Sequence, residues 1–195
     1  MSQETPFQTP NLLSERLSYR AWRHSDADDI ARQLNDFDIA KMTRSVPHPY
    51  PPYAADGWIS SLSGKLARNE AYNFAIVERS ADALAGSIGV FKRGASQDWE
   101  LGYWIGREFW GKGYASEAAQ AVMNWTTGEL GAEIVHAGHF ADNPASGRIL
   151  EKVGFRRISD DTVPMYSLAR GEKAPGYRYV WPAEKADEIA NSPLH

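Results

Sequence analysis

The sequence has no cysteine among its 195 residues. Disulfide bonds, thiolate metal sites and a cysteine nucleophile are therefore excluded, and the composition agrees with a reducing compartment. The sequence also lacks any run of about eighteen apolar residues, and its first residues, MSQETPFQTP, lack the apolar core of a signal peptide. We therefore expect no membrane partner and a cytoplasmic location.

The chain also lacks an excess of positive charge. The chain has 21 Lys and Arg against 25 Asp and Glu, a net charge of −4 at pH 7. Because proteins that bind duplex nucleic acid usually carry a basic field, we expect no nucleic-acid partner. The length, with 43% hydrophobic residues, suits one globular domain. We predict a single domain over residues 1–195, with flexible tails at 1–10 and 184–195, as a monomer or homodimer.

Hydrophobic patterning predicts strands and helices in succession, without a linker or a repeat. Residues 17–23 alternate as a strand does, and Ser25 with Asp28 marks a helix start whose acidic first turn, with Asp26 and Asp29, we expect to be solvated. Further strands are predicted at 74–78, 86–92, 98–105, 134–140, 165–169 and 177–181, and helices near 58–62, 114–125 and 144–153. The predicted fold class is α/β or α+β, with helices around one mixed sheet.

The stretch GREFWGKGYASEA, residues 106–118, has the glycine spacing of nucleotide-binding loops but completes none of them. As a P-loop it fails at Gly113, because a Ser or Thr must stand there to bind Mg²⁺. As a dinucleotide fingerprint it fails at Ser116, one glycine short. A nucleotide-binding P-loop domain stays an alternative that magnesium-dependent ATP binding would support.

The two glycines in this stretch instead predict an anion site that needs no metal. A predicted strand, WELGYWIG, precedes them and a helix follows, so Gly111 and Gly113 lie where backbone N–H groups point past a helix start. Glycine allows close approach to a pyrophosphate, the helix dipole favours negative charge, and Lys112 adds a positive charge. The alternative is a turn without a ligand.

A second informative segment is ADNPASGRILEKVGF, residues 141–155, which predicts a helix with Asn143 as N-cap and Pro144 as its first residue. Together with ELGYWIGREFWGKGYASEA, it resembles the acyl-CoA-binding region of the GNAT N-acetyltransferases, particularly their ribosomal-protein-alanine (Rim-type) branch. The segments LLSERLSYRAWRHSDADDI, TRSVPHPYPPYAADGWI and AGSIGVFK are similar to other parts of that branch. The resemblance covers roughly residues 10–170.

This resemblance implies an acetyl-CoA-dependent N-acetyltransferase with a mostly antiparallel sheet. Its fourth and fifth strands, here 98–105 and 134–140, would splay apart around the pantetheine, which would pair with the main chain near Trp104 and Ile105. Asn143 would reach the pantetheine arm. The pyrophosphate loop would comprise Trp110, Gly111, Lys112, Gly113, Tyr114 and Ala115. Its first residue, Trp110, departs from the general GNAT signature, but Trp is seen at this position in the Rim-type branch.

The transfer needs a base for the amine and help for the leaving thiolate. Glu100 is the candidate base, directly or through water, because it matches an acidic position of relatives; the alternative is an ordinary strand carboxylate. Many GNATs carry a Tyr acid before Glu-Lys, but Leu150 stands there in this chain. Ser146 is therefore the candidate acid, and its alternative is a residue that only satisfies a helix-end amide.

The expected acceptor is an amine-bearing peptide or small molecule. An α-amine, with a pKa of about 7.7–8.0, is easier to deprotonate at neutral pH than a lysine at about 10.4, which favours a protein N-terminus. The resemblance suggests that Tyr50, Tyr53 and Trp58 line the acceptor pocket; the alternative is packing by a stiff connector.

Two alternatives concern the class of site. His136 and His139 invite a metal site, but an odd separation places them on opposite faces of a strand, and we expect no metal. A CoA-binding protein without catalysis is the second alternative, and its only support is the missing Tyr acid.

Overall fold

The computed structural model describes residues 8–94 and 96–191, without the side chain of Pro52. Within these residues the chain forms nine strands, most of them in the predicted places. They are β1 (Leu12–Leu13), β2 (Leu17–Arg20), β3 (Ala71–Glu78), β4 (Ala83–Lys92), β5 (Trp99–Ile105), β6 (Val135–Phe140), β7 (Arg156–Arg157), β8 (Val163–Ser167) and β9 (Glu172–Trp181).

Six α-helices accompany the strands in the same part of the chain. They are α1 (Ala27–Leu34), α2 (Phe37–Ala40), α3 (Pro52–Ala67), α4 (Tyr114–Gly128), α5 (Pro144–Lys152) and α6 (Ala186–Ala190). Helix α5 begins as predicted, because the Asn143 side chain accepts a hydrogen bond from the Ser146 amide and Pro144 takes the first helical position.

All nine strands join one sheet in the order β1-β2-β3-β4-β5-β6-β9-β7, with β8 beside β9. The pairs from β1 to β5 are antiparallel, as are those of β9 with β6, β7 and β8. The exception is β5 with β6, which run parallel and pair only at Trp99–Val135 and Glu100–His136. Beyond Glu100 the two strands separate, so the predicted mixed, mostly antiparallel sheet and its splayed strands are confirmed.

The sheet separates two apolar clusters. One contains buried residues of α4 and α5, such as Ala118, Val122 and Leu150, against the central strands. The other contains Ile30 of α1 and Ile59 of α3 on the opposite side. Helices therefore cover both faces of the sheet, and the gap between β5 and β6 opens between these layers.

The helix start near Asp26 differs from the prediction. Residues His24–Asp26 form a 3-10 turn before α1, and Asp26 is only 7% exposed rather than solvated. Its carboxylate accepts two hydrogen bonds of 2.8 Å from the Arg20 guanidinium and one of 2.8 Å from the Arg23 amide. The buried carboxylate is tolerated because it is paired with a cation.

The C-terminal part also differs from the expected tail. Residues 183–190 form a 3-10 turn and α6, with Ala186 buried and Asp187 ion-paired to Arg156. The remaining tail expectations for residues 1–7 and 192–195 lie outside the described residues. No helix in the described ranges is long and apolar enough to cross a bilayer.

Candidate active site

A cavity of about 740 Å³ lies where β5 and β6 separate. Its walls come from five places: the end of β5, His139 of β6, the loop into α4 with the start of that helix, one face of α5, and residues 38–43 at the end of α2. The lining includes Tyr103, Trp104, Ile105, Trp110, Gly111, Gly113, Tyr114, Ala115, His139, Asn143 and Ser146. Most of the predicted cofactor residues are thus brought to one cavity.

The loop into α4 has the backbone geometry of an anion cradle. Gly111 and Gly113 have φ angles of 75° and 80°, in the left-handed region that favours glycine. Gly113 is the N-cap of the fifteen-residue helix α4 and offers no side chain to the first helical amides. Those amides have no intrahelical acceptor, so they can bind an anion such as a pyrophosphate.

The side chains of this loop serve different purposes. The Trp110 indole is half exposed and donates a hydrogen bond of 2.7 Å to the Ile105 carbonyl. Lys112 lies 3.7 Å from a carboxylate oxygen of Glu78, and the Tyr114 hydroxyl donates to the same carboxylate. Lys112 is therefore directed to Glu78 and is not among the residues lining the cavity.

The edge of β5 beyond Glu100 is where an extended ligand could pair. Trp104 and Ile105 line the cavity there. One of the acceptor positions of the Ile105 carbonyl is already used by Trp110. Asn143 also lines the cavity, and its side-chain oxygen receives the Ser146 amide at 3.3 Å. Its amide nitrogen is the group with which it can reach a ligand.

Ser146 and Tyr103 form a pair that closes the gap between β5 and α5. The Tyr103 hydroxyl lies 2.7 Å from Ser146 Oγ. Burial raises the pKa of Tyr103 to about 12, although the hydrogen bond with Ser146 acts in the opposite direction. The phenol therefore stays protonated at neutral pH and can hold the Ser146 hydroxyl in one orientation.

Glu100 lies on β5 where β5 and β6 are still paired, at the closed end of the gap. Its Oε1 is 3.3 Å from Arg44 Nη1, and its Oε2 is 3.6 Å from Arg93 Nε. Glu100 is not among the residues lining the cavity. A base at this position would act on an amine that arrives at the closed end, or through water.

The three predicted acceptor residues do not line this cavity. Tyr50 is buried in the apolar cluster of α1 and α3, and Trp58 packs edge-on against Trp22 with ring centroids 5.1 Å apart. Tyr53 is 78% exposed on α3. The assignment of the three residues to an acceptor pocket stays a prediction. Packing in the apolar cluster is sufficient to explain the positions of Tyr50 and Trp58.

One rim of the cavity is tied to the β8–β9 hairpin. Arg170 donates a hydrogen bond of 2.9 Å to the Lys41 carbonyl, and its guanidinium is also 2.8 Å from Asp142. The Leu168 amide donates to the Arg44 carbonyl at 3.1 Å. These bonds hold residues 41–44, which carry the Arg44 partner of Glu100, against the hairpin.

The two histidines of β6 are placed differently. His136 Nε2 lies 3.1 Å from Asp98, whereas His139 lines the cavity and its Nδ1 lies 2.8 Å from the Phe140 carbonyl. Because that carbonyl can only accept, Nδ1 carries the proton and Nε2 is an acceptor, 3.3 Å from the Tyr179 hydroxyl. Burial lowers the pKa of His139, which keeps it neutral. In the described ranges, no group of three His, Cys, Asp or Glu is placed to hold a metal.

Two cavity residues, Tyr103 and His139, were not assigned a role from the sequence. Strand alternation puts Tyr103 on the same face as Leu101 and Ile105, so the sequence predicts the face of the sheet on which Tyr103 lies. Its partner Ser146 is 43 positions away. No local pattern signals such a contact.

Comparison with known proteins agrees with this geometry. A family model described as an acetyltransferase (GNAT) domain matches residues 16–156, more than half of the chain. The uncharacterised N-acetyltransferase p20 of Bacillus licheniformis is 26% identical over 172 residues, covering 86% of this chain and 93% of that protein.

Solved structures extend the comparison to the fold. Ribosomal-protein-S5-alanine acetyltransferase from Vibrio fischeri has a TM-score of 0.74 at 18% identity, covering 88% of this chain and 95% of that one. Spermidine N-acetyltransferase from Vibrio cholerae, in complex with CoA and spermine, has a TM-score of 0.71 at 17% identity, covering 89% and 99%. At these identities the likeness establishes the fold alone.

A splayed sheet, an amide cradle and the family match together define an acyl-CoA-dependent transferase, and the chain belongs to the GNAT acetyltransferase family. It is an N-acetyltransferase that uses acetyl-CoA, as the resemblance implied. The cavity fits this co-substrate, because glycine backbone at Gly111 and Gly113 precedes open helix amides. Bound acetyl-CoA supplies the activated acetyl group.

Proposed function

We propose that the acceptor is a primary α-amine, with the N-terminus of a polypeptide as the first candidate. The acceptor is the open question of the site, because proteins of this fold include one named for a ribosomal protein and one named for spermidine. The observation that carries the proposal is the environment of Glu100.

Two guanidinium groups flank the Glu100 carboxylate. Each of its carboxylate oxygens already faces a guanidinium, of Arg44 at 3.3 Å and of Arg93 at 3.6 Å. A protonated amine that approaches Glu100 must share the carboxylate with these two cations. An amine that is already partly deprotonated at neutral pH needs the least proton removal by such a base.

The two common primary amines of proteins differ strongly in this respect. From their ordinary pKa values, about one in ten α-amines is deprotonated at pH 7, against about one in 2,500 lysine side chains. A weakly assisted reaction therefore favours the α-amine by a large factor. Polyamine nitrogens, whose basicity is similar to that of lysine, are disfavoured for the same reason.

The other chain groups act on the leaving sulfur. In this proposal Ser146 donates its hydroxyl proton towards the departing thiolate. Tyr103 holds that hydroxyl and returns a proton to it, and the phenol takes a proton back from solvent. A thiol with a pKa of about 8.5, by analogy with cysteine, leaves with modest help, so a serine is sufficient. Leu150, which occupies the place of the usual Tyr acid, is 1% exposed and part of the core.

The proposal is tested by following thiol release from acetyl-CoA with a panel of acceptors at pH 7. The panel contains short peptides with a free N-terminus and no lysine, free amino acids, and a polyamine. We expect turnover with the peptides to exceed turnover with the polyamine at equal concentration. Faster turnover with the polyamine would assign the protein to small-molecule acetylation, and CoA binding without thiol release from any acceptor would also reject the proposal.

A further inference from the structure

Helix α5 presents a second charged feature to the cavity. Ala145, Arg148, Ile149 and Lys152 all line it. Their spacing of three and four residues places them along one stripe of the helix. The buried residues of α5, Gly147 and Leu150, lie on a different side and face the core. The stripe therefore forms a wall of the cavity that carries two cations.

These two cations have no carboxylate counter-ion. Throughout the described part of the chain, no carboxylate lies within 4.0 Å of the charged groups of Arg148 or Lys152. The third cation of the lining, Lys41, is paired with Asp38 at 2.6 Å. The net charge of the cavity lining thus comes from α5.

Helix stability does not explain this arrangement. Like charges four residues apart repel each other and destabilise a helix. Lys152 is in the last turn, where the helix dipole favours a cation, but Arg148 is in the middle of the nine-residue helix. An anionic ligand that neutralises both side chains would explain why they share one stripe.

The co-substrate carries such an anion. Coenzyme A has a pyrophosphate, which the amides after Gly113 can bind, and a separate phosphate on the ribose 3′ oxygen. We propose that Arg148 and Lys152 bind this 3′-phosphate and thereby select free CoA thioesters over donors that carry only the pantetheine arm. The inference rests on the use of acetyl-CoA and not on the identity of the acceptor amine.

The charges of the two side chains match the charge of the 3′-phosphate. A phosphate monoester carries close to two negative charges at neutral pH, which matches two cations. Arg148 can engage two phosphate oxygens with its planar guanidinium, and Lys152 adds a point charge. Both side chains are exposed, so the interaction should be moderate and sensitive to salt.

Calorimetric titration with CoA and with dephospho-CoA, which lacks only the 3′-phosphate, tests the proposal. We expect the wild-type protein to bind CoA about tenfold more tightly at low salt, and the difference to shrink in 0.5 M salt, as for exposed ion pairs. In the double variant Arg148→Gln, Lys152→Gln, CoA affinity should fall about tenfold while dephospho-CoA affinity stays within about twofold. Lys65→Gln, an exposed cation on α3, is the matched control and should change neither.

Dephospho-CoA binding also reports whether the variant is folded. Equal affinity of the wild-type protein for the two ligands would overturn the proposal without any variant. An equal loss for both ligands in a folded double variant would assign the two cations to the pyrophosphate or to structure, and would also overturn it. Since no acceptor is present in these titrations, failure of the α-amine proposal would leave their outcome unchanged.

Discussion

The Tyr103 hydroxyl and Ser146 Oγ lie 2.7 Å apart, and they connect the end of β5 to the first turn of α5 across the opening of the sheet. This contact joins a residue that lines the cavity to the residue proposed as proton donor. It gives Ser146 a fixed partner with a protonated phenol, since burial raises the pKa of Tyr103 to about 12.

If Tyr103 acts through Ser146, the two should not contribute independently. We expect Ser146→Ala to lower kcat about ten- to a hundredfold, and Tyr103→Phe to lower it about tenfold with little change in KM for acetyl-CoA. The double variant should be no worse than Ser146→Ala alone. Steady-state kinetics of the four proteins check this, and fully additive losses would show that Tyr103 does not work through Ser146.

Glu100 is expected to matter most where the amine is protonated. Glu100→Gln should lower kcat/KM about a hundredfold at pH 7, because the base must remove a proton there, and the loss should shrink as pH rises and the free amine accumulates. Glu70→Gln, which alters an exposed carboxylate paired with Arg68, is the control and should leave activity unchanged. A loss of the same size at every pH would indicate that Glu100 only holds Arg44 and Arg93 in place.

Two glycine positions with similar backbone angles allow an effect on CoA binding to be distinguished from the effect of backbone strain. Gly113 and Gly131 both have positive φ angles, of 80° and 71°, so a valine is strained at either position. Only Gly113 lines the cavity. We expect Gly113→Val to weaken CoA binding at least about tenfold, whereas Gly131→Val should lower the melting temperature and keep the affinity. Unchanged affinity in a folded Gly113→Val protein would remove the cradle from the account.

Asp26 links stability to pH. Burial would raise its pKa, but the hydrogen bonds from Arg20 and the Arg23 amide outweigh burial and lower the pKa. A lowered pKa in the folded state means stability that is present above the unfolded value of about 3.9 and is lost as pH falls through the folded value. Asp26→Asn should therefore reduce the free energy of unfolding at pH 7 by about 2 kcal/mol. The free energy of unfolding of the variant should also fall less steeply as the pH is lowered. Denaturant titrations at several pH values check this; an unchanged midpoint at pH 7 would contradict it.

Local patterns were sufficient for most of the architecture. Asn143 and Pro144 predicted the start of α5, and alternation predicted β3 to β6, because capping and strand period depend on neighbouring residues. Asp26 was misread as solvated, since its partner Arg20 belongs to β2 and the sequence does not show that the two meet. Patterning likewise placed Glu100 on β5 but could not reveal that Arg44 and Arg93, from separate segments, surround it.

The same limit applies to the cavity. The glycine loop was recognisable because positive φ restricts the residue type. Tyr103 and Arg148 became candidates only when the fold brought β5 and α5 around one space. Contacts between distant segments are set by the packing of whole elements, which local sequence does not encode.

The proposed preference for α-amines can be tested with a matched pair of peptides. The most direct measurement compares kcat/KM at pH 7 for two peptides of one sequence. One has a free N-terminus and an acetylated lysine, and the other has an acetylated N-terminus and a free lysine. We expect at least about a tenfold preference for the free N-terminus, and we expect it to narrow as the pH rises towards the lysine pKa. Equal or faster acetylation of the free lysine would contradict it.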